Sequence, residues 1–138
     1  VEELMSHPAI CIPAEMTLAE VADQYLGRYR YAAFPVIDAG GSALGLLSLD
    51  QLEHTPVQQH AGLRAGELAD RDPALMVDRH EDLAELLDRS AFARAGRAIV
   101  IDLYHRPIGI VSITDVQRSI RASRIRNTPS STTRLAPR

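Results

Sequence analysis

The sequence predicts an α+β fold built as two copies of one unit, each strand–helix–strand–strand–helix, with two small sheets packed together under pseudo-twofold symmetry. Three observations predict it. The chain repeats itself at an offset of 64 or 65 residues. Each copy alternates short apolar runs with a stretch of helical period. One copy alone would leave a sheet face bare, whereas 138 residues with 46% hydrophobic content are enough for a core shared by both.

The repeat is legible element by element. Glu3-Leu-Met-Ser-His-Pro-Ala-Ile-Cys-Ile is matched by Glu67-Leu-Ala-Asp-Arg-Asp-Pro-Ala-Leu-Met-Val, and Thr17-Leu-Ala-Glu-Val by Asp82-Leu-Ala-Glu-Leu. Phe34-Pro-Val-Ile-Asp falls on Ala98-Ile-Val-Ile-Asp, and Gly45-Leu-Leu-Ser-Leu on Gly109-Ile-Val-Ser-Ile. Each copy opens with an apolar strand after a proline turn, at Ile10–Ile12 and Leu75–Val77. A helix follows, capped by Thr17 with Glu20 and by Asp82 with Glu85. Behind the first cap, Leu18, Val21, Ala22, Tyr25 and Leu26 share one face; behind the second, Leu83, Leu86 and Leu87 do. Ala33–Asp38 and Arg97–Asp102 read as buried strands, each turning back into a second strand, Ala43–Leu49 or Pro107–Ile113. The last helix of each copy starts near Asp50 or Thr114, and Pro56 cuts the first short. The expected divisions are residues 1–61, residues 62–123 and a basic, flexible tail over 124–138.

Composition narrows the function. No apolar run approaches the roughly 20 residues of a membrane helix, so no membrane contact by this segment is expected. A single cysteine, Cys11, excludes an internal disulfide and a Cys-based zinc knuckle, and the five His show no ligand spacing. Six aromatics without Trp argue against a nucleic-acid stacking platform. Five Arg and no acid follow Ile120, which leaves residues 1–120 eight charges negative and disfavours nucleic acid for the body of the chain. All basic residues are Arg, a compositional bias of the source. The chain starts at Val1 without Met or a signal-peptide pattern, and reads as a segment of something longer.

The opening Glu-Leu-Met-Ser-His-Pro, the strand Phe34-Pro-Val-Ile-Asp and the segment Gly109-Ile-Val-Ser-Ile-Thr-Asp-Val, duplicated in order at one offset, resemble the CBS domain pair, or Bateman module, over residues 3–120. The resemblance implies a non-catalytic regulatory module, with AMP, ADP, ATP or S-adenosylmethionine held where the copies meet and no cofactor of its own. It also implies a homodimer formed through the helices and an attached enzyme, channel or transporter. Arg28-Tyr-Arg-Tyr-Ala-Ala-Phe-Pro-Val-Ile-Asp, Gly45-Leu-Leu-Ser-Leu-Asp-Gln-Leu and Gly96-Arg-Ala-Ile-Val-Ile-Asp look most like the C-terminal CBS pair of site-2-protease-like membrane zinc metalloproteases. That parent implies a cytoplasmic module attached to a membrane protein, with zinc and its HExxH sequence outside this segment.

The residues of the expected cleft have a direct chemical sense. A carboxylate accepts from both ribose hydroxyls, while a hydroxyl and the free N–H groups of a helix start suit phosphate. Asp115 is placed for ribose, and Ser112 and Thr114 for phosphate; Thr114 and Asp115 would also cap a helix with no ligand present. The resemblance adds the backbone of Ala74, Leu75 and Met76 for the base edge, and Arg97 and Arg30 toward phosphate. The first copy departs from this pattern, with Gln51 at the carboxylate position and Asp50 at the Thr position, so at most one nucleotide per chain is expected. The competing readings are a ligand-free dimerisation module, with Tyr25 and Tyr29 at the contact, and nucleic-acid binding by the Arg-rich tail.

Overall fold

The computed structural model describes residues 4–5 and 9–127. The first copy runs β1 (Ile12–Pro13), α1 (Leu18–Val21) continued by a π turn (Ala22–Leu26), β2 (Ala33–Ile37), β3 (Ala43–Ser48) and α2 (Leu49–Glu53). A 3-10 turn (Val57–Gln59) and α3 (Ala65–Leu68) lead across to the second copy. That copy runs β4 (Met76–Asp78), α4 (Leu83–Leu87), α5 (Ser90–Ala95), β5 (Arg97–Ile101), β6 (Pro107–Ser112) and α6 (Ile113–Asn127). Residues 124–127 of the basic segment continue α6; the remainder, residues 128–138, lies outside the described residues, as does most of the opening Glu3–Pro8 sequence.

The two sheets are copies. Their orders are β1-β2-β3 and β4-β5-β6, each with a parallel first pair and an antiparallel second pair. Ala33 pairs with Ser48 as Arg97 pairs with Ser112, and each hairpin has its register shift at the same place, between Val36 and Ile37 or between Val100 and Ile101. Repeat mates can therefore be assigned residue by residue. The sheets meet reciprocally, β2 against β6 and β3 against β5, as a twofold relation requires.

Three apolar clusters hold this arrangement. Ile12, Leu18, Val21, Phe34, Val36, Leu47 and Leu52 form the core of the first copy. Val77, Leu86, Phe92, Val100, Val111 and Val116 form that of the second. Between the sheets lies a third, Ala33, Ala43, Leu46, Leu75, Ala91 and Ile99. Each fully buried Leu, Ile or Phe contributes roughly 1.5–3 kcal/mol by leaving water.

Local chemistry explains the short helices. The Thr17 hydroxyl accepts from the Glu20 N–H at 3.2 Å and the Glu20 carboxylate accepts from the Thr17 N–H at 3.0 Å, a complete capping box. The second copy differs from the sequence expectation here. Asp82 accepts from the N–H of Ala84 at 2.9 Å, with no reciprocal bond from Glu85. Its helix also breaks at Asp88–Arg89, giving α4 and α5 where one helix was predicted. Arg89 adopts an extended backbone and donates to the carbonyls of Ala74 and Met76 at 3.0 and 3.2 Å. After the break, Phe92 enters the core of the second copy and Ala91 the core between the sheets. Among the described residues no helix is long and apolar enough to cross a membrane.

Candidate ligand cleft

A cavity of about 270 Å³ opens between the copies. One wall is Ala9 and Ile10, which lead into β1; another is Arg30-Tyr31-Ala32 with Ala33 and Pro35 of β2. The second copy closes it with Arg97 at the head of β5, Ile110 and Ser112 on β6, and Asp115 in the first turn of α6. Apolar walls with a few convergent polar groups are the usual make-up of a small-molecule site.

Backbone geometry sets the polar groups. Gly96 ends α5 in the left-handed region at φ 77°, donates its N–H to Phe92 O at 2.7 Å and accepts from Ile113 N–H at 2.9 Å. That turn, which favours glycine, delivers Arg97 to the cleft and pins the start of α6 beside it. Ser112 Oγ accepts from the Asp115 N–H at 3.2 Å, so the hydroxyl caps α6 at the cleft wall. The Asp115 carboxylate is half exposed, 3.4 Å from Arg118 of the next turn. Among the described residues neither Arg30 nor Arg97 has a carboxylate partner. Two cations, a hydroxyl and a carboxylate thus face one cavity: donors for an anionic group and an acceptor for hydroxyls.

Ser112, Asp115, Arg97 and Arg30 are brought together. Thr114 is exposed and outside the lining. Ala74, Leu75 and Met76, expected beside Asp115, lie elsewhere, packed with the core between the sheets. The reason is the crossed contact of β2 with β6: the start of α6 faces the leading segment of the other copy. Ala9 and Ile10 occupy that place, and they are the repeat mates of Ala74 and Leu75. Tyr31 and Pro35 also line the cavity without a sequence signal that singled them out.

The mates of these residues meet on the opposite side of the molecule, where the polar groups are satisfied internally. Gln51, the mate of Asp115, accepts from Ser48 N–H at 2.8 Å and donates to Leu68 O at 2.9 Å. Arg94, the mate of Arg30, reaches Asp70 at 2.9 Å and Asp72 at 3.4 Å. Its guanidinium is raised above the usual range, chiefly by the hydrogen bond to Asp70. Leu46 and Asp70 exchange backbone hydrogen bonds of 3.0 and 2.9 Å, and a Cβ on Gly45 would sit 2.6 Å from Asp70 O.

Tyr25 and Tyr29, expected at a dimer contact, take part in an aromatic cluster with Tyr31 and Phe34. The Tyr25 hydroxyl donates to Cys11 O at 2.9 Å, and burial pushes both the Tyr25 phenol and the Cys11 thiol up. A raised thiol is a poor nucleophile. No cluster of three or more His, Cys, Asp or Glu fit to hold a metal ion occurs among the described residues.

The sequence matches the CBS domain family over residues 1–54 and 65–122. The gamma-3 subunit of 5′-AMP-activated protein kinase from Bos taurus is 30% identical over 99 residues, which are 66% of this chain and 20% of that protein. The chain thus spans about a fifth of that relative's length. Among solved structures, a CBS domain pair in complex with 5′-methylthioadenosine and S-adenosyl-L-methionine superposes with a TM-score of 0.72 at 19% identity, covering 89% of this chain and 96% of the other. The CBS domain of a bacterial CNNM/CorC family Mg2+ transporter in complex with ATP gives 0.69 at 22% identity, covering 87% and 85%. These two likenesses concern the fold.

Proposed function

This chain belongs to the CBS domain family, and we propose that it is a non-catalytic regulatory module that holds one adenine nucleotide in the cleft between its copies. The observation that carries this reading is the convergence of Asp115, Ser112, Arg97 and Arg30, drawn from both copies, on one apolar-walled cavity. The Asp115 carboxylate accepts from the ribose hydroxyls, and the two guanidinium groups and the Ser112 hydroxyl meet phosphate. The names of relatives agree, in that one is a subunit of an AMP-activated kinase and two structures hold ATP or adenosine derivatives. Because the ligand touches both copies, its binding free energy favours one relative placement of them, which is how a module without catalysis regulates an attached domain. The test is calorimetric titration with AMP, ADP, ATP and S-adenosylmethionine. One site per chain, lost in Asp115→Ala, is expected; no heat with any of the four overturns the reading.

The attached domain we propose is a membrane-embedded zinc metalloprotease of the site-2-protease type, which would make the module cytoplasmic. The support is the likeness of the segments around Arg28–Asp38, Gly45–Leu52 and Gly96–Asp102. An HExxH sequence in an apolar helix upstream of Val1 in the same polypeptide is the expected finding, and a transporter or kinase-associated domain there overturns it. Pairing with a second copy through the outer helices is a further part of the proposal. Ile125, 65% exposed on α6, is an apolar residue such pairing would cover. Light scattering should report a dimer that Ile125→Glu splits, and a monomeric wild type opposes it.

A further inference from the structure

In both copies the helix leaves α geometry at the same place. In the first, α1 passes into the π turn Ala22–Leu26; in the second, the break comes at Asp88 and Arg89. Residues 17–30 make a stretch one residue longer than residues 82–94, and a π turn takes up one extra residue. Counted back from Arg30 and Arg94, Tyr25 and Arg89 are repeat mates. They also make the same link. The Tyr25 hydroxyl donates to Cys11 O at 2.9 Å, and Arg89 donates to Met76 O at 3.2 Å. Cys11 and Met76 are mates as well, each one residue ahead of the pairs Ile12–Val36 and Val77–Val100. The two links differ in strength. Arg89 donates also to Ala74 O at 3.0 Å and pairs with Glu81, and Met76 already stands in the ladder opposite Ile99. On the open side the ladder begins only at Ile12, so residues 9–11 lie ahead of it, and Ala9 and Ile10 are cleft wall. The phenol reaches them from the core. Its ring meets Phe34 edge-on at 5.7 Å and lies 5.8 Å from Tyr29, and Phe34 is only 1% exposed.

We infer that Tyr25 is a positioning residue for the cleft: its hydroxyl, through Cys11 O, holds the wall formed by Ala9 and Ile10 so that a nucleotide meets a fixed surface. Tyr25 is not among the residues lining the cavity, so it acts through the strand and not on the ligand. A wall fixed beforehand is not ordered at the ligand's cost, and the binding free energy is retained as affinity. The link also ties two functions of the first copy together. One end of the phenol belongs to the apolar core around Phe34, and the other governs the entrance of the first copy into the cleft. On the closed side the stronger Arg89 clamp holds residues that no cavity uses, so it serves stability alone.

The inference rests on the nucleotide reading above, and the test separates the two. ADP is titrated calorimetrically into wild type, Tyr25→Phe and Arg89→Lys, and backbone order parameters are measured by NMR relaxation with and without ADP. Tyr25→Phe keeps the ring and its packing and removes only the donor. It should bind ADP about fivefold more weakly. Its ligand-free order parameters should fall at residues 9–11 and not elsewhere, and saturating ADP should restore them. Arg89→Lys, which loosens the matching link on the closed side, should bind within about twofold of wild type. ADP bound equally by wild type and Tyr25→Phe, or residues 9–11 equally ordered in both, overturns the positioning role and leaves the nucleotide reading standing. An equal loss of affinity in Arg89→Lys also overturns it, because the effect is then a general loosening. Melting curves check that the variants fold, and the Tyr25→Phe comparison decides the matter if Arg89→Lys does not. A wild type that takes up no ADP overturns both readings.

Discussion

On one side of the interface between the copies, Leu75 and Ile99 pack into a common core; on the other, their repeat mates Ile10 and Pro35 line a cavity. The backbone at the two sites is the same to the register shift. The difference is made by side chains. Arg97 brings a charged group to the cavity where its mate Ala33 has only a methyl, and on the closed side Asp70 and Asp72 hold Arg94. A duplicated fold thus specifies two equivalent sites, and a handful of substitutions converts one of them into glue.

Mirrored substitutions test that contrast. The largest effect is expected at Leu75, fully buried on the closed side: Leu75→Ala should cost about 2–5 kcal/mol in urea unfolding. Ile10→Ala, at the matching position of the open side, should cost less than half as much, since Ile10 is only half-buried. Equal losses would mean that the cavity wall carries as much of the stability as the core. Next comes Gly45→Ala, whose Cβ would meet the Asp70 backbone oxygen at 2.6 Å; about 1–3 kcal/mol of destabilisation is expected from thermal melts.

A smaller pair sharpens the division of labour. Gln51→Ala removes a bond to Leu68 O and should lower stability by roughly 1 kcal/mol with nucleotide binding intact. Asp115→Ala should do the reverse, abolishing calorimetric binding with a melting temperature close to wild type. Smallest is Tyr25. Its phenol is held above the ordinary range, first by burial and then by Tyr29 and Cys11 beside it. Because the folded value exceeds the unfolded one, folding favours the neutral phenol; this contribution is full below the ordinary range and is lost as pH rises through the raised value. From about pH 10 upward the melting temperature of wild type should fall further than that of Tyr25→Phe.

The strands and the first helix were legible in the sequence because their signals are local: alternation, a Thr–Glu cap, and one offset that recurs. Strand ends at Ile37, Ser48, Ile101 and Ser112 lie within one residue of those predicted. The break at Asp88–Arg89 was not legible, since it is set by the reach of Arg89 to carbonyls more than ten residues away. Of the polar groups that line the cleft, Ser112 and Asp115 were readable from Gly109-Ile-Val-Ser-Ile-Thr-Asp-Val, whereas Thr114 of the same segment lies outside the cavity. The apolar half of the cleft was not, because proximity along the chain points from Asp115 to Ala74–Met76, and only the crossed packing of the sheets exchanges these for Ala9 and Ile10. The same crossing hides Tyr31, whose sequence position gives no hint that it faces a residue more than eighty places on.

The cleft takes part of its wall from the first turn of α6, whose 15 residues, capped at Ser112, make a rod of about 22 Å. A tilt of only ~5° there displaces the far end, with its arginines, by ~2 Å, enough to make or break a salt bridge to a neighbouring domain.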